Sequence, residues 1–304
     1  MTRTDGGERT GVDVTGPVVV GVSSFGARLP MVRWAAAEAA CRAVGLRLVA
    51  AHPVSALPDQ YPAAETHREA ALRCLADAAA LVAADWPGLE IRTETVAGPP
   101  ATVLRDAAAD AALLVVGADD ASPFTEAIVG SVPGDLLTTA PCPLAVAPRR
   151  EWTTPESAPV VVAMDGLETS QAALAYAFAA AARAGRRLTV LRCLPAGVGP
   201  AERAGYDRAL IGFDELYTGV DVTTETSRSE TADALVAVSR TAATLVLGSL
   251  GRGRLASGLF GSVSRTVIRR AGCPVVVACA HVQGGYRSLP RADRVPRLRQ
   301  GETP

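Results

Sequence analysis

The chain has 304 residues, enough for about two domains of ordinary size, and 49% of them are hydrophobic, so it can form sizeable cores. Its formal net charge of −1 does not favour bulk binding to nucleic acid. All 30 basic residues are arginine. The lack of lysine excludes chemistry that needs an ammonium group, such as a Walker A lysine, a kinase strand lysine or a Schiff base.

The cysteines and histidines point to a reducing compartment and away from a metal centre. Six cysteines are present without a CxxC pair, and three scattered histidines form no metal-binding pattern. The longest apolar run, 172–182, is far shorter than a membrane span, and the polar, glycine-rich start does not resemble a signal peptide. We therefore expect a soluble cytoplasmic protein with buried free thiols.

Short valine-rich strands alternate with helical patterns from residue 17 onward. Residues 1–15 are predicted to be disordered. Gly45 is expected to end the first helix, and Leu72, Leu75, Ala79 and Val82 are expected to form the buried face of the second. The predicted strands are 17–22, 46–51, 91–97, 113–116 and 144–147, and the predicted helices are 31–40, 66–85, 101–109 and 130–139.

The same order of elements returns after a linker at 149–157, which indicates an internal duplication. The predicted strands of this second unit are 160–164, 188–193, 220–226, 245–247 and 275–278, and its predicted helices are 170–184, 201–216, 232–242 and 263–270. The aligned pairs are Ser23 with Asp165, Gly45 with Gly185, Thr93 with Thr224, and Gly117 with Gly248, at offsets of 142, 140, 131 and 131 residues. Alternating strands and helices predict parallel sheets covered on both faces, with ligands at the carboxyl ends of the strands.

A glycine motif lies between the last two strands of the second unit. Its spacing is G-x2-G-x9-G-S, formed by Gly248, Gly251, Gly261 and Ser262. Glycine lets the backbone approach an anion closely, and a serine-capped helix start favours negative charge. A strand, a glycine loop and a capped helix in this order are typical of a phosphate site.

This motif resembles the nucleotide-binding motif of the ATP-binding universal stress proteins. The resemblance covers both units, 16–148 and 158–280, and leaves 281–304 as a basic, disordered tail. It implies an α/β fold with two tandem Rossmann-like domains, each an open five-stranded parallel sheet with helices on both faces. It also implies that ATP, with Mg²⁺, is held in the second domain.

The resemblance assigns individual residues of the second unit to the nucleotide. Asp165, directly after the strand that contains Ala163, would contact the nucleoside, although it is also placed to cap the next helix. Cys193 would form an apolar wall beside the adenine, with plain core packing as the alternative. The remaining candidates would line the base and ribose or hold the phosphates; they are Leu247, Gly248, Gly251, Gly261, Ser262, Val263 and Ser264. Arg252 and Arg254 would either pair with phosphates or remain solvated, and the second reading is favoured.

The first unit departs from the motif at three points. Ser23 stands where the family has aspartate, Asp120 replaces the second glycine beside Asp119, and Pro133 removes a backbone donor. Two carboxylates repel a polyphosphate unless a metal ion lies between them. We expect the first unit to bind ATP weakly or not at all, with binding through Mg²⁺ on these aspartates as the alternative.

These features predict a nucleotide-dependent stress or regulatory protein. The alternatives are a slow ATP hydrolase and an interaction scaffold without a ligand. The apolar last strands of the two units, 144–147 and 273–280, are expected either to pair the units within one chain or to join two chains as a homodimer. The tail would be solvated, or would contact an acidic partner or nucleic acid in a salt-dependent way.

Overall fold

The computed structural model describes residues 16–23, 29–53, 63–118, 131–164, 167–193, 210, 212–213, 215–227, 230–248 and 262–278. Both chain ends that the sequence predicts as disordered lie outside these residues. Among the described residues, no helix is long and apolar enough to cross a membrane.

Strands and helices alternate through both units, as the sequence predicts. The strands are β1 Val18–Gly21, β2 Leu46–His52, β3 Ile91–Ala97, β4 Leu113–Gly117, β5 Leu144–Ala147, β6 Val160–Met164, β7 Leu188–Cys193, β8 Val222–Ser227, β9 Thr244–Gly248 and β10 Val275–Ala278. The main helices are α1 Leu29–Arg42, α2 Ala63–Asp85, α3 Pro100–Ala107, α4 Ser131–Thr139, α5 Leu167–Ala184, α6 Thr231–Val238 and α7 Ser262–Arg270. Residues 210, 212–213 and 215–216 are also helical, within the predicted 201–216 helix.

All ten strands form one continuous sheet. Its order is β3-β2-β1-β4-β5-β10-β9-β6-β7-β8. Within each unit the five strands are parallel, which confirms the predicted fold class. The units meet where β5 pairs antiparallel with β10. The strands of the two units therefore run in opposite directions. The carboxyl ends of the strands of one unit lie on the same side of the sheet as the amino ends of the strands of the other unit.

The last strands of the two units pair with each other inside one chain. Ala145 stands opposite Val276, and both residues are fully buried. Each strand also has a parallel neighbour on its other side, β4 for β5 and β9 for β10. A homodimer through these two strands is therefore wrong for this arrangement, because neither has a free edge. Homodimerisation itself stays a prediction and would need another surface.

Helices cover both faces of the sheet and bury two apolar clusters. One cluster joins residues of α1, α2 and α5 to the strand residues on that face, and it includes Val20, Leu48, Val162 and Phe178. The other lies under α3, α4, α6 and α7. Both clusters contain residues from both units, so each core is continuous across the β5–β10 junction. Alternation along the parallel strands explains this division, since successive side chains point to opposite faces.

The strand register corrects the predicted alignment of the first crossovers. Val18 is paired with Leu46, and Val160 is paired with Leu188. Leu46 and Leu188 are therefore equivalent at an offset of 142, and the predicted pairing of Gly45 with Gly185 at 140 is wrong. The false match comes from two similar tetrapeptides, Gly-Leu-Arg-Leu at 45–48 and Gly-Arg-Arg-Leu at 185–188.

The residue that ends α1 is Ala43 and not Gly45. Ala43 has φ 54°, and its structural equivalent Gly185 has φ 60° after α5. After each of these residues, the next backbone N–H donates a hydrogen bond to a carbonyl of the last helical turn. The Val44 N–H donates to the Ala39 carbonyl, and the Arg186 N–H donates to the Ala181 carbonyl. This is the left-handed helix stop that glycine usually provides.

The buried face of α2 is shifted from the predicted one. Ala71, Leu75, Ala78 and Val82 are at most 2% exposed, whereas Leu72 is 45% exposed. Leu75 and Val82 fit either stripe, because a helix has 3.6 residues per turn. Ala71 and Ala78 determine which side of α2 faces the sheet, because their small side chains let the helix approach the sheet more closely than Leu72 would.

Candidate functional site

The carboxyl ends of β6 and β9 lie side by side, where the chain order of the second unit reverses. Val160 is paired with Thr244, and Val162 is paired with Val246. From β6 the chain moves outward to β7 and β8, and it then returns to β9 on the other side of β6. Open parallel sheets bind ligands at such a switch point because the connecting loops diverge there.

Three predicted site residues occupy the ends of these strands. Leu247 is 5% exposed and belongs to the buried cluster under α6 and α7. Ala163 and Gly248 are partly exposed at the strand ends. Ala163 packs against the same cluster as Leu247, whereas Met164 points to the opposite face and is fully buried. The structure thus puts Ala163 and Leu247 on one face at adjacent strand ends.

The start of α7 carries two serines and no acidic residue. Ser262 is exposed, and Val263 and Ser264 are partly exposed. The Thr266 hydroxyl donates to the Ser262 carbonyl at 2.9 Å, which leaves the first backbone N–H groups of the helix unaffected. Val263 packs against the cluster that also holds Ala163 and Leu247. A helix start of this kind attracts an anion through its free N–H groups and dipole.

The other predicted site residues are placed only in part. Cys193 is the last residue of β7, paired with Ser227, one strand away from the β6 end; its side chain is not described. Five further candidates, together with the acidic pair of the first unit, lie outside the described residues; they are Asp165, Gly251, Gly261, Arg252 and Arg254, and the pair is Asp119 with Asp120. Their roles stay predictions.

A family model described as "Universal stress protein family" matches residues 15–148 and 157–278. The chain belongs to the universal stress protein family. Two universal stress proteins of Mycobacterium tuberculosis strain H37Rv are 32% identical over 292 residues and 31% identical over 287 residues. These matches cover 86% of this chain and 95% and 96% of the relatives.

A solved structure carries the same tandem fold. A universal stress protein from Archaeoglobus fulgidus matches with a TM-score of 0.68 at 20% identity, over 86% of this chain and 96% of that chain. At this identity the likeness shows the fold alone. The tandem arrangement predicted from the internal repeat is confirmed by the two family matches and by this structure.

The first universal stress protein unit presents a different helix start. Ser23 follows β1 and forms an isolated bridge, and α4 begins at Ser131. Pro133 is buried within the first turn of α4, where it contributes no backbone N–H. Ser264 stands at the equivalent place in α7 and keeps its donor. That the first unit binds ATP weakly or not at all stays a prediction.

The described residues show no metal cluster, and a sizeable groove among them lies away from the predicted site. No group of three or more His, Cys, Asp or Glu residues is placed to hold a metal ion among them. A groove of about 630 Å³ lies at the amino ends of β1, β2 and β3 in the first unit. Its arginines are already paired, Arg47 with Glu94 at 2.6 Å and Arg92 with Glu90 at 2.8 Å. It therefore lacks the free positive charge of a phosphate site.

Proposed function

We propose that the second unit binds an adenine nucleotide, with ATP as the ligand, and that the bound nucleotide controls how the protein interacts with a partner. The proposal rests on membership of the universal stress protein family and on the G-x2-G-x9-G-S spacing. It makes the protein a nucleotide-dependent regulator.

The observation that carries the proposal is the position of the α7 start relative to the strand ends. Val263 packs on the same face of the sheet as Leu247 and Ala163, and α7 is the helix that follows the loop after β9. Exposed Ser262 and the lack of an acidic residue in that turn suit a phosphate group. The apolar strand ends suit the face of a base or ribose.

Magnesium would enter this site with the nucleotide. In nucleotide sites Mg²⁺ usually keeps several waters and binds phosphate oxygens, so it needs few ligands from the protein. The absence of a carboxylate cluster among the described residues is therefore compatible with Mg-ATP.

The proposal is tested by isothermal titration calorimetry and thermal unfolding with Mg-ATP. If the second unit binds ATP, a concentration of 100 times Kd should raise the free energy of unfolding by about 2.7 kcal/mol. The Gly251→Asp variant copies the acidic residue of the first unit and should lose most of this gain. The matched variants Asp120→Gly and Ser23→Ala change the first unit and should retain it.

Two results would contradict the proposal. The first is wild-type protein that shows neither heat of binding nor a shift in melting temperature at millimolar Mg-ATP. The second is a Gly251→Asp variant that binds like wild type while a first-unit variant loses binding, which would move the nucleotide to the other unit.

A further inference from the structure

Ser170 has a buried hydroxyl that the fold leaves unused. It lies in the first turn of α5 and is 1% exposed. Its Oγ is buried and, within the described part of the chain, has no hydrogen-bond partner. The next residues on the same side of the helix, Ala173, Leu174 and Ala177, are fully buried and apolar. Buried polar groups are nearly always paired, so an orphan hydroxyl calls for an explanation.

Two other buried hydroxyls in the described residues, those of Ser239 and Thr189, have partners. Ser239 Oγ donates to the Val236 carbonyl at 2.7 Å and accepts from the Gly272 N–H at 2.9 Å. Thr189 and Thr223 share a hydrogen bond of 3.2 Å between their hydroxyls. The fold therefore satisfies such groups where it uses them for packing, and Ser170 differs from this pattern.

The position of Ser170 directs its hydroxyl toward the candidate site. Helix α5 follows β6 directly and packs on both β6 and β9. Because Ser170 is buried, its side chain faces the sheet and not the solvent. In an α-helix the Cα–Cβ bond also tilts toward the amino end. That end of α5 lies at the carboxyl end of β6, so the hydroxyl leans toward this strand end, on the face of the sheet opposite to the side chains of Ala163 and Leu247.

We propose that Ser170 is a ligand-binding residue of the nucleotide site. Its hydroxyl hydrogen-bonds to an oxygen of the bound nucleotide, directly or through one buried water. A serine hydroxyl both donates and accepts, so it suits a ribose hydroxyl as well as a phosphate oxygen. This inference rests on the proposed function, and it adds a residue that the sequence analysis predicts only as the start of a helix. The available signal was a serine on the inner side of a helix otherwise filled by alanine and leucine.

The test measures two properties of Ser170→Ala, the stability without ligand and the affinity for Mg-ATP. Removing an unpaired hydroxyl should leave the ligand-free melting temperature unchanged or higher. Affinity for Mg-ATP by calorimetry should fall by about 3- to 10-fold, the usual effect of losing one hydrogen bond. Ser170→Cys keeps the volume but is a weak donor, and it should bind as poorly as the alanine variant.

Ser239→Ala is the matched control, because its hydroxyl is equally buried but fully bonded within the fold. It should lower the melting temperature and leave the affinity for Mg-ATP unchanged. The inference is overturned if wild type binds Mg-ATP and Ser170→Ala binds equally well. It is also overturned if Ser170→Ala lowers the ligand-free melting temperature as Ser239→Ala does. Wild-type protein that fails to bind Mg-ATP would instead refute the proposed function, and this inference with it.

Discussion

The guanidinium of Arg42, in α1 of the first unit, donates a 2.7 Å hydrogen bond to the hydroxyl of Tyr176, in α5 of the second unit. The same guanidinium pairs with Glu38 one turn earlier in α1 and lies 5.6 Å from the centre of the Tyr176 ring. The Arg42 side chain is 8% exposed. The two units are therefore joined by a buried polar contact between helices as well as by the sheet.

Arg42→Ala should strongly destabilise the protein. The substitution leaves the Glu38 carboxylate, which is 19% exposed, without its cation. Removing one partner of a buried ion pair costs about 3 to 5 kcal/mol, and the partial exposure of Glu38 favours the lower end. Arg33→Ala is the control, because the Arg33–Asp85 pair is 52% and 37% exposed and should contribute less than about 1 kcal/mol. Equal losses in chemical denaturation would contradict a special role for Arg42.

Tyr176 should lose its proton only at high pH. Burial raises the pKa of the Tyr176 hydroxyl to about 12, and this outweighs the opposite influence of Arg42. The unfolded chain releases this proton near pH 10. The folded state holds it more tightly, so the stabilisation is complete below pH 10 and is lost as the pH rises toward 12.

The measurement is the free energy of unfolding between pH 9 and 12, for wild type and Tyr176→Phe. Burial also raises the pKa of the Cys273 thiol to about 12, so part of the alkaline loss of stability remains in the variant. Tyr176→Phe should reduce the slope above pH 10 and should remove a late step from the tyrosinate absorbance titration. A wild-type absorbance curve without this late step would show that Tyr176 titrates with the other tyrosines.

Ala43→Gly should stabilise the fold, and Gly185→Ala should destabilise it. A left-handed conformation costs a residue with a Cβ about 1 to 2 kcal/mol. Glycine recovers this strain at Ala43 but adds unfolded-state entropy, which leaves a net gain of about 0.5 kcal/mol. A Cβ on Gly185 would meet no atom within 4 Å, so its loss of about 1 kcal/mol comes from backbone strain alone. A loss of stability in Ala43→Gly would contradict this account of the end of α1.

Cysteines at Ala145 and Val276 should form a disulfide within one chain. These residues are opposite each other in the antiparallel pair of β5 and β10. Opposite residues in such a pair have Cα atoms about 4.5 to 5.5 Å apart, within the range of a disulfide. The oxidised double variant should run as a monomer on a non-reducing gel, and Ala145→Cys alone should form no such bond. A covalent dimer would show that the strands pair between chains.

The sequence predicts the elements well because their signals are local. Apolar runs such as 160–164 and 245–247 are too short for helices, and each unit repeats them in the same order. The α7 start is predicted to within one residue, because Gly261 and Ser262 mark it chemically. Parallel pairing follows from the alternation of strands and helices.

The errors occur where the outcome depends on tertiary packing. Ala43 adopts a conformation that favours glycine, and no local feature distinguishes it from the alanines before it. The exposure of Leu72 depends on how closely α2 approaches the sheet. Whether 144–147 would pair with its own chain or with another depends on how the two units lie together. The unpaired hydroxyl of Ser170 is visible only when the burial of each neighbour is known.

The antiparallel pairing of β5 with β10 makes completion of the sheet independent of protein concentration. A single-unit protein whose apolar last strand needs a second molecule for cover completes its sheet only when enough copies meet. In this duplicated chain the partner strand belongs to the same molecule, so β5 and β10 can pair at any protein concentration.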